Sequence, residues 1–415
     1  MPRPAPLRPA DLRGALRLAT EATAGLADLV EAMHERIARV PGIGTASAEG
    51  RTGGVTGLVY RTIRATTHAV GGGLDALVGW LAPALATDAS PPAREAVVAA
   101  LNGVLGDHLA ATGNPLAITM TLRQAGRPLP IERAALAERM PQAGGHLLVL
   151  LHGLCMNDLQ WSRAGHDHGA ALAREGGFTP LYLHYNSGLH VSTNGRALAQ
   201  LLEQLLAQWP QPVQRLVLLG HSMGGLLARS AVHAGVQDGH RWPARLDDLV
   251  FLGTPHHGAP LERAGHGVDR LLAATPYTAP LARLGRLRSA GITDLRHGNL
   301  LDEDWIGHDR FAHAEDTRHP LPLPAGVRSF AIAGCLGRSS ATLRARLLGD
   351  GLVPVDSALG LHPNPARALA FPAERQWVAQ GLGHLDLLGS AEVAAQLQRW
   401  LVRTRPEQPA QEEGD

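Results

Sequence analysis

The sequence predicts an α/β fold with a doubly wound, mostly parallel sheet. Apolar runs of strand length, such as residues 146–151 and 213–219, alternate with segments in which apolar residues recur at helical spacing. These runs are apolar at nearly every position, which is typical of parallel strands that are buried on both faces. We therefore expect helices packed on both sides of a central sheet.

An N-terminal extension, residues 1–112, precedes the sheet. Apolar residues recur at helical spacing over residues 11–40, over residues 55–81 and after Ser90. Ser90 is followed by two prolines, and a serine cap with prolines in the first turn is a helix start signal. We predict an α-helical extension that packs on the main domain or joins subunits into a homo-oligomer. A membrane-surface or lid function is the alternative.

The main domain is predicted over residues 113–405. Its hairpin and strands are expected at residues 118–131, 146–151, 179–184, 213–219, 249–253, 327–333 and 375–379. Its helices are expected after residue 158 as far as residue 175, at residues 194–209, after the Ser222 turn as far as residue 234, and at residues 391–402. The alternation is lost over residues 258–325, which predicts a helical lid or cap insertion of the kind that commonly covers active sites. Residues 406–415 are predicted to be a disordered tail.

The composition excludes several classes of protein. Lys and Arg number 38 and Asp and Glu 37, a net charge of +1, so no overall field favours nucleic acid. The chain has no apolar stretch long enough for a transmembrane segment and no apolar run typical of a secretory signal. Its two cysteines, Cys155 and Cys335, predict reduced thiols rather than a disulfide framework. We therefore expect a cytoplasmic protein.

The candidate nucleophile is Ser222. Residues 216–232 read as a strand, a sharp turn and a helix, and the turn carries the pattern Gly-x-Ser-x-Gly. Glycines are needed at Gly220 and Gly224 because side chains there would collide where the strand folds back against the helix. The segment predicts a nucleophile elbow that exposes the Ser222 hydroxyl in front of a helix N-terminus.

A serine hydroxyl needs a base, and the base needs an acceptor that fixes its tautomer. Asp350 and His384 follow Ser222 in the order nucleophile, acid, base, and each comes just after a predicted strand. Asp356 is the alternative acid. Asp386 is too close to His384 in sequence to orient its ring, and we expect His221 to pack rather than to act as the base.

Two backbone N–H groups are expected to bind the oxyanion that develops during acyl transfer. One belongs to Met223, which follows the nucleophile at the start of the helix, and the other to Leu154, in the loop after the strand 146–151. A substrate pocket is predicted from one loop residue and four residues of the insertion: Cys155, Leu271, Leu272, Leu281 and Leu284. These four leucines suit an apolar acyl group and plain core packing equally well.

Several histidines raise the question of a metal site. The pairs His166 and His168, and His256 and His257, are close in sequence, but no carboxylate has the spacing of a metal ligand set. We predict no catalytic metal.

Five motifs together resemble the α/β-hydrolase superfamily, and they are most similar to bacterial lipases and esterases and to hydrolases similar to glycosylphosphatidylinositol inositol-deacylases. They are residues 152–153, 220–225, 253–258, 350–354 and 384–386, and the resemblance covers residues 115–405. It implies a Ser222–Asp350–His384 triad. In several such lipases the position of Asp386 belongs to a calcium site, but residues 387–390 lack further ligands, so we expect no cofactor.

The motifs predict a serine hydrolase that cleaves carboxylic esters through an acyl-enzyme, acting on a small-molecule ester or lipid-like substrate. The same triad would serve a thioesterase, phospholipase, amidase or acyltransferase. A non-catalytic binding protein with a hydrolase fold is the alternative from another class. The elbow specifies acyl transfer and does not specify the acyl group.

Overall fold

A computed structural model describes residues 8–21, 92–259, 289–307, 318–337 and 343–402. Several predictions lie outside the described residues. They are the second N-terminal helical segment, much of the predicted insertion and the C-terminal tail.

Eight strands form one sheet. In chain order they are β1 (Thr121–Gln124), β2 (Arg127–Pro128), β3 (His146–Leu151), β4 (Thr179–His184), β5 (Arg215–His221), β6 (Leu246–Leu252), β7 (Arg328–Cys335) and β8 (Gln376–Gln380). Across the sheet their order is β2-β1-β4-β3-β5-β6-β7-β8. The strands β3 to β8 run parallel, and β1 is antiparallel to both of its neighbours. The predicted doubly wound, mostly parallel sheet is confirmed.

Ten helices are described. They are α1 (9–21), α2 (Pro92–Ala111), α3 (Arg133–Arg139), α4 (His168–Gly176), α5 (Val191–Gln208), α6 (Met223–Gln237), α7 (Ala290–His297), α8 (Leu343–Leu348), α9 (Val355–Ala358) and α10 (Ala391–Leu401). The helix α7 lies within the predicted insertion. None of the described helices is both long and apolar enough to cross a membrane.

The centre of the sheet is buried on both faces, as its composition predicts. In β3, Leu147 and Val149 belong to one apolar core while Leu148 and Leu150 belong to the other. The first core also takes the apolar faces of α5 and α6, and the second takes those of α4 and α10. Because successive side chains of a strand point to opposite faces, only an unbroken apolar run can satisfy both cores.

The helix predicted after residue 158 as far as residue 175 is interrupted. Asn157 caps a short 3-10 helix, Asp158–Trp161, and Asp167 caps α4 by accepting from the Ala170 N–H at 2.8 Å. Between them Gly165 has a φ of 77°, which no helix tolerates. Two cap residues and a left-handed turn therefore divide a segment whose apolar spacing alone indicates one helix.

The chain divides into two compact units. One contains residues 1–94 and 109–117, and the other contains residues 95–108 and 118–415. In the first unit, Arg94 Nε donates to Asp11 at 2.6 Å. Residues 95–108, the middle of α2, belong to the same unit as the sheet, although α2 lies within the predicted N-terminal extension. The domain boundary at residue 112 stays a prediction.

Residues 95–108 of α2 pack closely on the loops that follow β3 and β4 and on Ser289, the N-cap of α7. The carbonyl of Gly106 accepts from Asn186 Nδ2 at 2.8 Å, and the carbonyl of Gly103 accepts from Ser289 Oγ at 2.6 Å. A β-carbon added at Gly188 would lie 2.1 Å from the Asn102 carbonyl oxygen, so two backbones approach each other directly. The helix therefore forms one wall at the carboxyl edge of the sheet.

Candidate active site

Ser222 occupies a strained turn between β5 and α6. Its φ of 55° and ψ of −123° lie in a region that residues with a side chain rarely adopt. A β-carbon added at Gly220 would lie 2.5 Å from the Gly225 nitrogen, and one at Gly224 would lie 2.1 Å from the Leu151 carbonyl oxygen. Strand and helix can therefore meet at this angle only when both positions are glycine.

Asp350 and His384 form a buried pair beyond the ends of β7 and β8. Asp350 Oδ2 lies 2.7 Å from His384 Nδ1, and the His384 N–H donates to the Asp350 carbonyl at 3.1 Å. The other oxygen, Oδ1, accepts from the N–H groups of Leu352 at 3.0 Å and Val353 at 2.8 Å. The carboxylate is thus fixed by the backbone and presents one oxygen to the imidazole.

The elbow, the acid and the base meet at one edge of the sheet. Gly253, which directly follows β6, lies close to both the acid and the base. A β-carbon there would lie 3.1 Å from Asp350 Oδ2 and 3.2 Å from His384 Cε1. The Ser222 N–H donates to the Leu252 carbonyl, one residue before Gly253, at 2.8 Å. Among the described residues, no hydrogen bond joins the side chains of Ser222 and His384.

The alternative acids have other partners. Asp356 accepts from Arg346 Nε at 2.9 Å, and its side chain is 45% exposed. Asp386 Oδ2 accepts from the Gly383 N–H at 3.0 Å and so closes the turn that carries His384. Of the three aspartates, Asp350 is the one within hydrogen-bonding distance of His384.

His221 holds the base loop. Its Nε2 lies 3.1 Å from the His384 carbonyl oxygen, and its ring lies edge-on to Trp161. Burial, with the nearby His384, holds the pKa of His221 well below its usual range. His221 is therefore neutral and donates its Nε2–H to the His384 carbonyl, and its exclusion as the base stays a prediction.

The loop after β3 carries Leu154, the second predicted oxyanion donor. A β-carbon at Gly153 would lie 3.1 Å from Ser222 Cβ, so this loop touches the elbow. Within the described part of the chain, neither the Leu154 N–H nor the Met223 N–H donates a hydrogen bond to the protein. Both predicted donors therefore lack a protein acceptor among the described residues.

His152 holds that loop in place. Its ring stacks on Tyr185 with centroids 4.3 Å apart, and its Nδ1 lies 2.8 Å from the Gly153 carbonyl oxygen. The Tyr185 hydroxyl donates to the His152 carbonyl at 2.9 Å. Burial lowers the pKa of His152 to about 4, so the neutral ring donates from Nδ1. Sequence reasoning missed Tyr185, whose only signal is its position just after β4.

Cys155, predicted in the substrate pocket, is buried against α2. Its φ is 60°, its N–H donates to Ser187 Oγ at 3.0 Å, and a β-carbon at Gly103 would meet its sulfur at 2.1 Å. Burial raises the pKa of the thiol to about 12, so it stays protonated. The other predicted pocket residues lie outside the described residues: Leu271, Leu272, Leu281 and Leu284.

The described residues around the histidine pairs offer no set of metal ligands. In the described ranges, no group of three His, Cys, Asp or Glu residues could hold a metal ion. His168 Nδ1 lies 2.9 Å from His166 Nε2, and its own Nε2 lies 2.9 Å from the Leu387 carbonyl oxygen. The described residues around Asp386 do not fit the calcium site that the resemblance implies, since no group of three acidic, histidine or cysteine ligands includes it. The expectation of no cofactor stays a prediction.

The sheet order and the elbow at the end of β5 are those of the α/β-hydrolase fold. Residues 142–319 match the family model described as the PGAP1-like alpha/beta domain, which covers less than half of the chain. The resemblance expected from the motifs is confirmed. No curated protein matches the sequence.

Three solved structures illustrate the similarity. The mature lipase BlEst2 of Bacillus licheniformis is 16% identical, with a TM-score of 0.41, over 69% of this chain and 98% of that chain. The metagenomic carboxyl esterase MGS0156 is 18% identical, with a TM-score of 0.35, over 74% of this chain and 87% of that chain. An esterase of Pyrococcus furiosus is 16% identical, with a TM-score of 0.35, over 63% of this chain and 83% of that chain.

Proposed function

We propose that the protein is a serine hydrolase that cleaves carboxylic esters through an acyl-enzyme. One observation carries the proposal: the strained Ser222 turn lies at the same sheet edge as the buried Asp350–His384 pair, whose oxygen and nitrogen are 2.7 Å apart. A hydroxyl is unreactive at neutral pH without a base, and an imidazole held by a carboxylate is the usual base.

In the proposed reaction, Ser222 Oγ attacks the ester carbonyl carbon and its proton passes to His384 Nε2. Asp350 accepts from His384 Nδ1–H, which leaves Nε2 free to take the proton, and the carboxylate stabilises the imidazolium that forms. The tetrahedral intermediate expels the alcohol, which receives the proton from His384. Water then attacks the acyl-enzyme by the same proton route and releases the acid.

The N–H groups of Leu154 and Met223 are the proposed oxyanion donors. They lie on two different elements, the loop after β3 and the start of α6, that meet where Gly153 touches Ser222. Removal of one oxyanion donor typically lowers kcat by about 10²–10³. A side-chain substitution cannot remove a single backbone N–H group. Mutagenesis can therefore test these donors only by shifting the loop that carries Gly153.

The first test compares wild type with Ser222→Ala in p-nitrophenyl ester turnover, with the exposed Ser162→Ala as the matched control. We expect Ser222→Ala to lose all detectable turnover with unchanged circular dichroism, and Ser162→Ala to be fully active. More than a few per cent residual activity in folded Ser222→Ala would overturn the assignment.

A fluorophosphonate probe separates an enzyme from a binding protein with the same fold. We expect covalent labelling at Ser222 in wild type and none in Ser222→Ala. Folded wild-type protein that resists labelling would favour the binding protein. Parallel assays on short-chain and long-chain esters, thioesters, amides and phospholipids, with an alcohol as competing acceptor, then distinguish the reactions that share this chemistry.

A further inference from the structure

The loop that carries Leu154, a proposed oxyanion donor, is a strained β-turn. The Met156 N–H donates to the Gly153 carbonyl at 3.3 Å, which makes Leu154 and Cys155 the two central residues. The φ of Leu154 is negative and that of Cys155 is 60°, a pattern typical of a type II turn, in which glycine usually takes the second central position. Cysteine adopts this conformation only at a cost in free energy, so the turn needs a further contact to hold it.

Ser187, in the loop after β4, supplies that contact. The Cys155 N–H donates to Ser187 Oγ at 3.0 Å, and Ser187 is 1% exposed. In the competing type I turn, the φ of residue 155 would be negative and the peptide group between Leu154 and Cys155 would be turned over. Its N–H would then point away from Ser187. The hydrogen bond to Ser187 therefore favours the observed turn over its competitor.

The peptide groups before Leu154 have other partners. The Tyr185 hydroxyl donates to the His152 carbonyl at 2.9 Å, and His152 Nδ1 lies 2.8 Å from the Gly153 carbonyl oxygen. The peptide group after Leu154 is thus the one that depends on Ser187. Because its rotation changes the backbone of Leu154 itself, the Leu154 N–H would shift relative to Ser222. A displacement of about 1 Å can lower a rate by about 10²-fold.

Ser187 is itself held by three helices. Asn186 Nδ2 donates to the Gly106 carbonyl on α2 at 2.8 Å, and Asn194 Nδ2, on α5, donates to the Asn186 carbonyl at 2.9 Å. A β-carbon added at Gly291, on α7, would lie 2.0 Å from the Ser187 carbonyl oxygen. The Ser187 hydroxyl is therefore a fixed acceptor, which is what a strained turn requires.

We propose that Ser187 is a positioning residue of the oxyanion hole, and that its hydroxyl oxygen holds the Cys155 N–H and so keeps the Leu154 N–H beside Ser222. This role rests on the proposed ester hydrolysis, and Ser187 acts through the turn and not on the substrate. Its loss should slow the steps in which negative charge develops on the substrate oxygen and should leave binding of the substrate nearly unchanged.

The first measurement compares the kinetics of two buried serines. Ser187→Ala removes the acceptor of the Cys155 N–H, whereas Ser230→Ala, on α6, removes a similarly buried hydroxyl that donates to the Leu300 carbonyl at 2.8 Å. We expect kcat for p-nitrophenyl esters to fall about 10-fold in Ser187→Ala with KM nearly unchanged, and neither constant to change in Ser230→Ala. Wild-type kcat in Ser187→Ala would overturn the proposal.

The rate of fluorophosphonate labelling separates a failure of this role from a failure of the proposed function. Phosphonylation of Ser222 also places negative charge on an oxygen at the oxyanion donors, so Ser187→Ala should be labelled about 10-fold more slowly than wild type. Folded wild-type protein that is not labelled would contradict the proposed function and this role together. Equal labelling rates in the two proteins would reject the role of Ser187 alone.

A second substitution tests the turn directly. Glycine adopts a positive φ without strain, so the double variant Ser187→Ala, Cys155→Gly should have a higher kcat than Ser187→Ala, although it loses a buried side chain. A double variant no faster than Ser187→Ala would show that Ser187 does not act through the turn. If Ser187→Ala does not fold, Ser187→Cys replaces it, because a thiol is similar in size and accepts weakly. Wild-type kcat in Ser187→Cys would then reject the proposal.

Discussion

The Nε2 of His221 and the backbone carbonyl oxygen of His384 lie 3.1 Å apart in a buried setting. The residue before the proposed nucleophile therefore holds the loop that carries the proposed base. The contact joins β5 to the turn after β8, which are not adjacent strands of the sheet.

Loss of this contact should lower both the activity and the stability of the protein. In His221→Leu the His384 carbonyl would be left buried without its donor, which costs about 1–3 kcal/mol. We expect kcat to fall about 10-fold with KM nearly unchanged. His221→Gln, whose amide can donate, should recover part of the loss, and His233→Leu, on the outer face of α6, serves as control. Equal kinetics for wild type and His221→Leu would show that the contact has no positioning role.

Asp350→Asn should abolish most activity, and Asp356→Asn should have little effect. An amide at position 350 would offer an N–H to His384 Nδ1, and the ring would then carry its proton on Nε2, where it cannot accept from Ser222. We expect kcat for p-nitrophenyl esters to fall by about 10³–10⁴ in Asp350→Asn. The reverse ranking of the two variants would assign the acid to Asp356 instead.

Position 220, on the strand side of the elbow, should not tolerate a methyl group. In Gly220→Ala the new carbon would lie 2.5 Å from the Gly225 nitrogen, whereas Gly144→Ala meets nothing nearer than 4.0 Å. We expect Gly220→Ala to lower the free energy of unfolding by at least about 2 kcal/mol and Gly144→Ala to change it by less than about 0.5 kcal/mol. Urea unfolding measures both, and similar stabilities would contradict the close backbone approach.

Buried histidines should make the protein unstable in mild acid. Burial lowers the pKa of His168 from 6.5 to about 4, so between these values the unfolded state binds a proton that the folded state does not. Stability is therefore highest above pH 6.5 and falls as the pH drops toward 4, by about 1.4 kcal/mol per pH unit for this residue.

The matched variant for this effect is His168→Gln, which can still donate to the Leu387 carbonyl. We expect the pH dependence of its unfolding free energy to be less steep than that of wild type over the same interval. Parallel curves for the two proteins would mean that His168 does not take up a proton on unfolding.

The fold was predictable because its central strands, such as β3 and β5, are buried on two faces. Residues 179–184 were expected as a strand and form β4 with those bounds, and a helix was expected to begin at Ala391, where α10 begins. Ser222, Asp350 and His384 could be named because parallel strands gather their carboxyl ends at one edge, whatever the details of the loops.

Contacts between segments that are far apart in the sequence could not be predicted. Periodicity shows that α2 is a helix but not that its glycines meet the loops after β3 and β4. The breaks around Asn157 and Asp167 are set by side-chain caps that compete with a continuous apolar spacing.

The packing of α2 on the loops after β3 and β4 also determines which fragments of the chain can keep the candidate active site. The family match, residues 142–319, contains Ser222 but omits Asp350, His384 and the whole of α2. A fragment cut at the predicted boundary of residue 112 would keep Asp350 and His384 but lose α2. Asn186 Nδ2 and Ser289 Oγ would then lack their acceptors on that helix. The smallest fragment that keeps α2 as a wall of the candidate active site must therefore begin at or before Pro92.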